Sequence, residues 1–228
     1  MARLKHFCRG RDLALGYALV VVVVMIALTS LPQSVHDDLV MRSSTNLDNL
    51  QHHPVTVLIV SAFVLGTPAE LALIPLLIWA YGAVQRWLGR AAAVITGIFG
   101  HVGATLFVAA LLATGVTRGV VNPAVGHLDD VGVSYGLAAV AGLCTVRLPR
   151  RWRTAYLCAW AVVLGGALLL SHTFTDLGHA TAFGVGLGLA VVVAAAGRAS
   201  RFGHPDAGDA GPAQPAIGGA GSADATGR

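Results

Sequence analysis

The sequence predicts an all-α membrane protein built from six transmembrane helices, with the N and C termini both cytoplasmic. Hydrophobic residues make up 55% of the 228 residues and charged residues only 11%, and mean hydropathy is +0.71. A soluble domain of this length needs more charge to cover its surface. Several apolar runs also approach the roughly 20 residues that a helix needs to cross a bilayer core of about 30 Å.

Six apolar segments account for the predicted helices. The first follows a basic segment and is expected to remain uncleaved, because the residues after it lack a clean small-x-small cleavage site. Pro75 is expected to kink the second. The predicted spans are residues 13–31, 70–84, 91–112, 131–146, 155–170 and 176–196.

The distribution of basic residues supports this topology, because positively charged loops tend to stay in the cytoplasm. Only Arg42 and Arg118 fall in the first, third and fifth loops, whereas twelve basic residues precede the first span, lie in the second and fourth loops, or closely follow the last span. These twelve are Arg3, Lys5, Arg9, Arg11, Arg86, Arg90, Arg147, Arg150, Arg151, Arg153, Arg198 and Arg201. The alternation predicts a multi-pass plasma-membrane protein with its termini inside.

Three segments follow from these patterns. Residues 1–12 form a basic cytoplasmic N-terminus, and residues 13–197 form the six-helix membrane domain. Residues 198–228 are rich in Gly, Ala, Pro and Asp with almost nothing to bury, so this cytoplasmic tail is expected to be disordered.

Composition also excludes several classes of function. The basic residues lie in short loops where they set topology, so the positive net charge does not indicate nucleic-acid binding. The three cysteines lack CxxC or zinc-type spacing, which argues against a disulfide framework or a metal site. No pattern indicates a nucleotide or haem, and we expect no cofactor.

Two polar side chains within the spans suggest chemistry, since such residues are costly in a bilayer. Ser134 lies about one turn into the fourth span, and His179 lies at a similar depth in the sixth. Because both spans start at the same membrane face, the two can form a dyad in which histidine acts as general base. A helix cap or packing contact remains the alternative for Ser134, and a polar anchor for His179.

Small residues surround both positions. Gly132 and Gly136 flank Ser134, while Ala182 and Gly186 follow His179 at four-residue spacing. Such faces let helix backbones approach closely, although the same pattern is common where helices only pack. The four small residues, the serine and the histidine together favour a Ser-His site between the fourth and sixth spans.

With the motifs GVSYG around Ser134 and GHATAFG around His179, the chain resembles the rhomboid family of intramembrane serine proteases over most of residues 10–197. The resemblance implies a six-helix rhomboid-like bundle that cleaves other membrane helices. It implies Ser134 as nucleophile and His179 as base. The implied partners are transmembrane protein substrates or clients within the lipid bilayer.

The second span departs from the family pattern, which usually places a His and an Asn there to stabilise the oxyanion. The corresponding stretch offers only Glu70 and apolar residues, and loss of one such donor can cost about 10²–10³ in rate. Candidate supporting residues are Gly132, Tyr135, His101 and Glu70, together with backbone amides near Ser134. Tyr135 stands where the family usually has glycine, and would gate or block substrate access.

Other polar residues have simpler interpretations. His101 is interpreted as a buried, hydrogen-bonded histidine or as part of the site, and His172 as solvated. Asp176 is expected to cap the sixth span, and Asp129 and Asp130 to mark the outer interface.

Three functions remain open at this point. The first is a rhomboid-like protease, and the second is a catalytically inactive relative that binds transmembrane helices. The third is a small transporter or channel, which would predict charges near the bilayer midplane or inverted repeats, and the sequence contains neither.

Overall fold

The computed structural model describes residues 9–122, 130–171 and 173–202, all of them helical or in the turns between helices. The α-helices are α1 (Asp12–Thr29), α2 (Gln33–Ser43), α3 (Leu47–His52), α4 (Pro54–Ser61), α5 (Ile74–Leu88), α6 (Arg90–Thr117), α7 (Val133–Cys144), α8 (Arg150–Leu170) and α9 (Phe174–Phe202). Short 3₁₀-helices at Pro68–Leu73 and Thr145–Arg147 precede α5 and follow α7.

Five helical segments are long and apolar enough to cross a membrane: Asp12–Thr29, Pro68–Leu88, Arg90–Thr117, Arg150–Leu170 and Phe174–Arg198. The fourth predicted span is shorter than the others, with α7 and its 3₁₀ extension covering only Val133–Arg147. The all-helical membrane architecture therefore agrees with the sequence prediction. The structure has five candidate spans and one shorter apolar helix at the position of the predicted fourth span.

The short helix α7 lies at the centre of the helical packing. It contacts α5 and α6, and every residue from Tyr135 to Cys144 is buried. By contrast, α8 has no buried residue and exposes large side chains such as Val162 and Leu169. An apolar surface of that kind suits a helix that faces lipid.

Basic residues from several elements meet at one end of the bundle. Arg90 at the start of α6 forms a 2.8 Å ion pair with Asp12 at the start of α1. Arg147, after α7, lies over the ring of Trp87 at the end of α5. We call this end of the bundle, with Arg90 and Arg147, the arginine-rich end.

The second span differs from the prediction at Pro75. Instead of kinking a continuous helix, Pro75 lies in the first turn of α5, directly after the 3₁₀-helix. Proline suits this position because its missing N–H would have no intrahelical partner there, and its φ is already helical.

The last helix, α9, continues to Phe202, five residues beyond the expected end of the membrane domain at 197. The described residues up to Ala194 belong to one compact unit, and those of α9 from Ala195 belong to a second. The expected disorder from residue 203 onward lies outside the described residues.

Candidate active site

Ser134 is the second residue of α7 and is half buried. The 12 residues of α7 span about 18 Å at 1.5 Å per residue, well short of a bilayer core of about 30 Å. His101, which is about 16 Å along α6 from Arg90, packs against Gly132 at the N-terminal end of α7. Ser134 therefore lies near the middle of the span formed by α6, and not at its end.

Helix α9 packs closely along α7, and the two helices run in the same direction. The Gly186 backbone lies against the carbonyl of Ala139, and the Gly142 backbone lies against the carbonyl of Phe183. A side chain at either glycine would collide with backbone atoms of the other helix, so the close approach requires glycine there.

The same register brings the first turn of α7 beside His179. Tyr135 lies against Gly178, and its ring centroid is 4.9 Å from that of His179 in an edge-on arrangement. Ser134 and His179 are thus at the same level of adjacent helices. Among the described residues, no hydrogen bond joins Ser134 to His179. The side chain of α7 that contacts the His179 ring edge-on is that of Tyr135.

Tyr135 is fully buried and lies near two histidine rings. Its ring centroid is also 6.5 Å from that of His101. The Tyr135 hydroxyl and Oδ1 of Asp130 are both buried without a well-aligned hydrogen-bond partner among the described residues, although the two groups lie close enough to interact electrostatically. The expected gating residue is therefore part of the packed interior.

His101 ties α6 to α4. Its Nε2 lies 3.0 Å from the carbonyl oxygen of Leu58 and 3.1 Å from Oγ of Ser61. Because a carbonyl only accepts, we assign the ring proton to Nε2. This leaves Nδ1 as an acceptor, and it is buried without a hydrogen-bond partner among the described residues.

Gly132 fits beneath this histidine. The His101 ring occupies the space where a Gly132 side chain would lie, and the Gly132 N–H donates to the carbonyl of Ser61 at 3.0 Å. Of the expected supporting residues, Gly132, Tyr135 and His101 are therefore adjacent to one another and to the first turn of α7.

The segment between α2 and α3 holds the chain that leads into α7. The Thr45 N–H donates to the carbonyl of Asp130 at 2.7 Å, and the Asp130 N–H donates to Oγ of Ser44 at 2.6 Å. The Thr45 hydroxyl also lies 3.1 Å from Oδ2 of Asp130. Burial raises the pKa of the Asp130 carboxyl to about 6, with Tyr135 and Thr45 partly opposing the shift.

Two acidic residues are occupied as helix caps. Glu70 accepts from the N–H and the hydroxyl of Thr67 at the start of the 3₁₀-helix. Asp176 accepts from the hydroxyl of Thr173 at 2.5 Å, while its N–H donates back to that hydroxyl. Asp176 therefore helps to cap α9, but from the first turn: the helix begins at Phe174, and Thr173 precedes it where Asp176 was expected. The candidates His172 and Asp129 lie outside the described residues.

Comparison with known protein families adds one finding. A family model described as rhomboid-like protein matches residues 13–199, which is most of the chain. The chain belongs to the rhomboid-like protein family. Neither the curated proteins nor the solved structures include a match to this sequence.

In this rhomboid-like protein the backbone N–H groups at the start of α7 can act as hydrogen-bond donors. The N-cap residue is Gly132, which makes no side-chain cap. The first N–H groups of a helix lack intrahelical partners and favour negative charge. These N–H groups are next to Ser134 along the chain. They can therefore donate hydrogen bonds near Ser134, where α5 has no His or Asn side chain to do so.

Ser61, Ser44 and Thr45 belong to the site but were not identified from the sequence. All three are buried polar residues in a region that reads as a polar loop followed by a short apolar piece. No local signal distinguishes them. Across the described residues, no group of three or more His, Cys, Asp or Glu side chains could hold a metal ion.

Proposed function

We propose that the chain is an intramembrane serine protease that cleaves transmembrane segments of other plasma-membrane proteins through Ser134 and His179. The observation that carries the proposal is the register of α7 against α9. The turn that contains Ser134 lies beside the turn that contains His179, and Tyr135 contacts the latter directly. Membership of the rhomboid-like family supports the same function.

The chemistry follows from the two side chains. Oγ of Ser134 attacks the carbonyl carbon of the scissile peptide while its proton passes to a ring nitrogen of His179. The tetrahedral intermediate collapses, and His179 returns the proton to the leaving amine. Water then attacks the acyl-enzyme by the same route in reverse, which restores the serine hydroxyl.

The negative oxygen of the intermediate needs donors within reach. We assign this role to the uncapped N–H groups at the start of α7, which are aligned with the helix dipole. The oxyanion would then lie beside Ser134, with His101 supporting Gly132 from behind through the contact described above. In this arrangement His101 is a positioning residue and not a donor to substrate.

Tyr135 positions the base. Its ring meets that of His179 edge-on, which limits rotation of the imidazole. Ser134, in the same turn of α7, is half buried, and its hydroxyl must come within hydrogen-bond distance of His179 for the reaction to begin. Apo sites often have long catalytic distances that shorten when substrate binds.

A catalytically inactive rhomboid-like protein that binds transmembrane helices is the second candidate. The observation that favours it is the lack, within the described chain, of a Ser134–His179 hydrogen bond, together with the full burial of Tyr135. Such a protein would bind transmembrane helices of other proteins without hydrolysing them.

Labelling by a fluorophosphonate probe separates the two. We expect the purified full-length protein to be labelled, and labelling to disappear in Ser134→Ala and in His179→Ala. Ser171→Ala, a change at the exposed C-terminal end of α8, is the matched control and should label as the parent does. Absence of labelling in a parent protein that melts cooperatively would favour the inactive helix-binding protein.

A further inference from the structure

A cavity of about 630 Å³ lies between α1 and α6, and the glycines on either side of Ser134, Gly132 and Gly136, also line it. Its walls are almost entirely apolar, with Leu13 and Val20 on α1 facing Val94 and Ile98 on α6. Its size falls within the range of small-molecule sites, roughly 300–1,000 Å³. The cavity therefore has the volume and lining of a site for an apolar ligand.

Residues of α4 and of the turn after it line one end of the cavity. They include Leu58 and Phe63, which lie there together with His101. Along α6 the lining runs from Val94 to Val102, about 12 Å at 1.5 Å per residue. This length is well short of the roughly 30 Å that a transmembrane helix needs, whereas it suits an acyl chain confined to one leaflet.

The other end of the cavity lies near basic side chains. Leu13 and Val94 each lie within about one turn of the Asp12–Arg90 ion pair. Asp12 is occupied by Arg90 and by a 2.7 Å hydrogen bond from Gln85, so it has little left to offer other cations.

Two further arginines add uncompensated charge near this end of the cavity. Arg86 packs its side chain on Gly10, three residues before Leu13, and Arg9 is next to that glycine. Both are exposed, and neither forms an ion pair within the described part of the chain. Basic clusters beside clefts between membrane helices are suited to anionic lipid head groups.

We infer that the cavity is a binding site for one anionic glycerophospholipid of the leaflet at the arginine-rich end. Its phosphate lies beside Arg9 and Arg86, and one acyl chain extends between α1 and α6 toward α4. The distance from Arg90 to His101, about 16 Å, matches half of a bilayer core of about 30 Å. The cavity shares Gly132 and His101 with the candidate active site, but lipid binding there requires no reaction by Ser134 or His179.

Gly16 provides a direct test, because it lines the cavity and a side chain there would meet no atom within 4 Å. Leucine at this position extends into the space assigned to the acyl chain without clashing with the protein. Native mass spectrometry of the full-length protein, titrated with palmitoyl-oleoyl phosphatidylglycerol, measures the binding. We expect Gly16→Leu to weaken it at least tenfold.

Gly165→Leu is the matched control, since Gly165 on α8 also has nothing within 4 Å, and it should bind as the parent does. Equal binding by Gly16→Leu and the parent would overturn the proposal. If Gly16→Leu does not melt cooperatively, Val20→Phe fills the same cavity from the next turns of α1. Val20→Phe should then weaken binding at least tenfold, and binding equal to that of the parent would again overturn the proposal.

The head-group assignment has its own test. Phosphatidylglycerol should bind the parent at least fivefold more tightly than phosphatidylcholine with the same chains, and Arg9→Gln/Arg86→Gln should remove this preference. Arg150→Gln/Arg151→Gln removes two exposed charges from the start of α8 and should preserve it. Equal affinity of the parent for the two lipids would refute an anionic site.

Discussion

The carbonyl oxygen of Ala139 on α7 occupies the space into which a side chain at Gly186 on α9 would project. This contact sets the spacing of the two helices that carry Ser134 and His179. Backbone atoms cannot rotate away as a side chain can, so the spacing depends on the glycine.

Gly186→Ala is therefore expected to destabilise the protein by about 1–3 kcal/mol, the usual cost of forcing an extra methyl group into a packed interior. Gly184→Ala is the matched control, because a side chain there meets nothing within 4 Å. Thermal melts in one detergent measure both changes. Equal melting temperatures for the two variants would show that α7 and α9 are not in the described contact.

Tyr135 yields a prediction that separates its ring from its hydroxyl. Tyr135→Phe keeps the contact with His179 and removes a buried hydroxyl that has no well-aligned partner within the described structure, so stability should be unchanged or slightly higher. Tyr135→Ala loses the ring and should cost about 3–5 kcal/mol. Chemical unfolding measures both, and a loss above about 1 kcal/mol in Tyr135→Phe would mean that the hydroxyl is hydrogen-bonded.

His101 should control the order of α4, because its ring holds Leu58 and Ser61. His101→Ala is expected to cost about 1–3 kcal/mol through the lost bonds and to speed amide exchange in Pro54–Ser61. Hydrogen exchange read by mass spectrometry resolves this segment. Thr114→Ala, which removes an exposed hydroxyl further along α6, should leave exchange in α4 as it is in the parent.

Asp130 predicts a pH dependence of stability. Burial raises the pKa of its carboxyl from 3.8 to about 6, so between these values the folded state holds a proton that the unfolded state releases. The contribution of the Asp130 carboxyl to folding stability is therefore fully present below pH 3.8 and is lost as pH rises through about 6. Melts across this range should show a decline in the parent that is smaller in Asp130→Asn, and parallel curves would contradict the assignment.

The sequence predicts much of this organisation because its strongest signals are local. Apolar length and alternating arginines indicate the spans, and spacing along α7 and α9 indicates that Ser134 and His179 share a level. The Ala182–Gly186 register does face α7, whereas Gly184 and Gly188 have open space beside them. These features depend on helical periodicity alone.

What the sequence does not predict depends on contacts between distant segments. Counting from Arg90 puts His101 near mid-membrane, and only the recessed start of α7 brings Gly132 down to meet it. Likewise, Ser44 and Thr45 bind Asp130 across more than eighty residues of chain. Neither contact can be predicted from local amino-acid composition or from hydrophobic periodicity.

The brevity of α7 bears on how the protein is made. A segment of 12 helical residues is shorter than the roughly 20 that insert readily as an independent span, and its buried surface leaves little to offer lipid. During synthesis its orientation then depends on its neighbours: on α6, which is made before it, and on the arginines that begin α8 after it. The helix that bears Ser134 is thus expected to become stably inserted only once α8 has emerged from the ribosome.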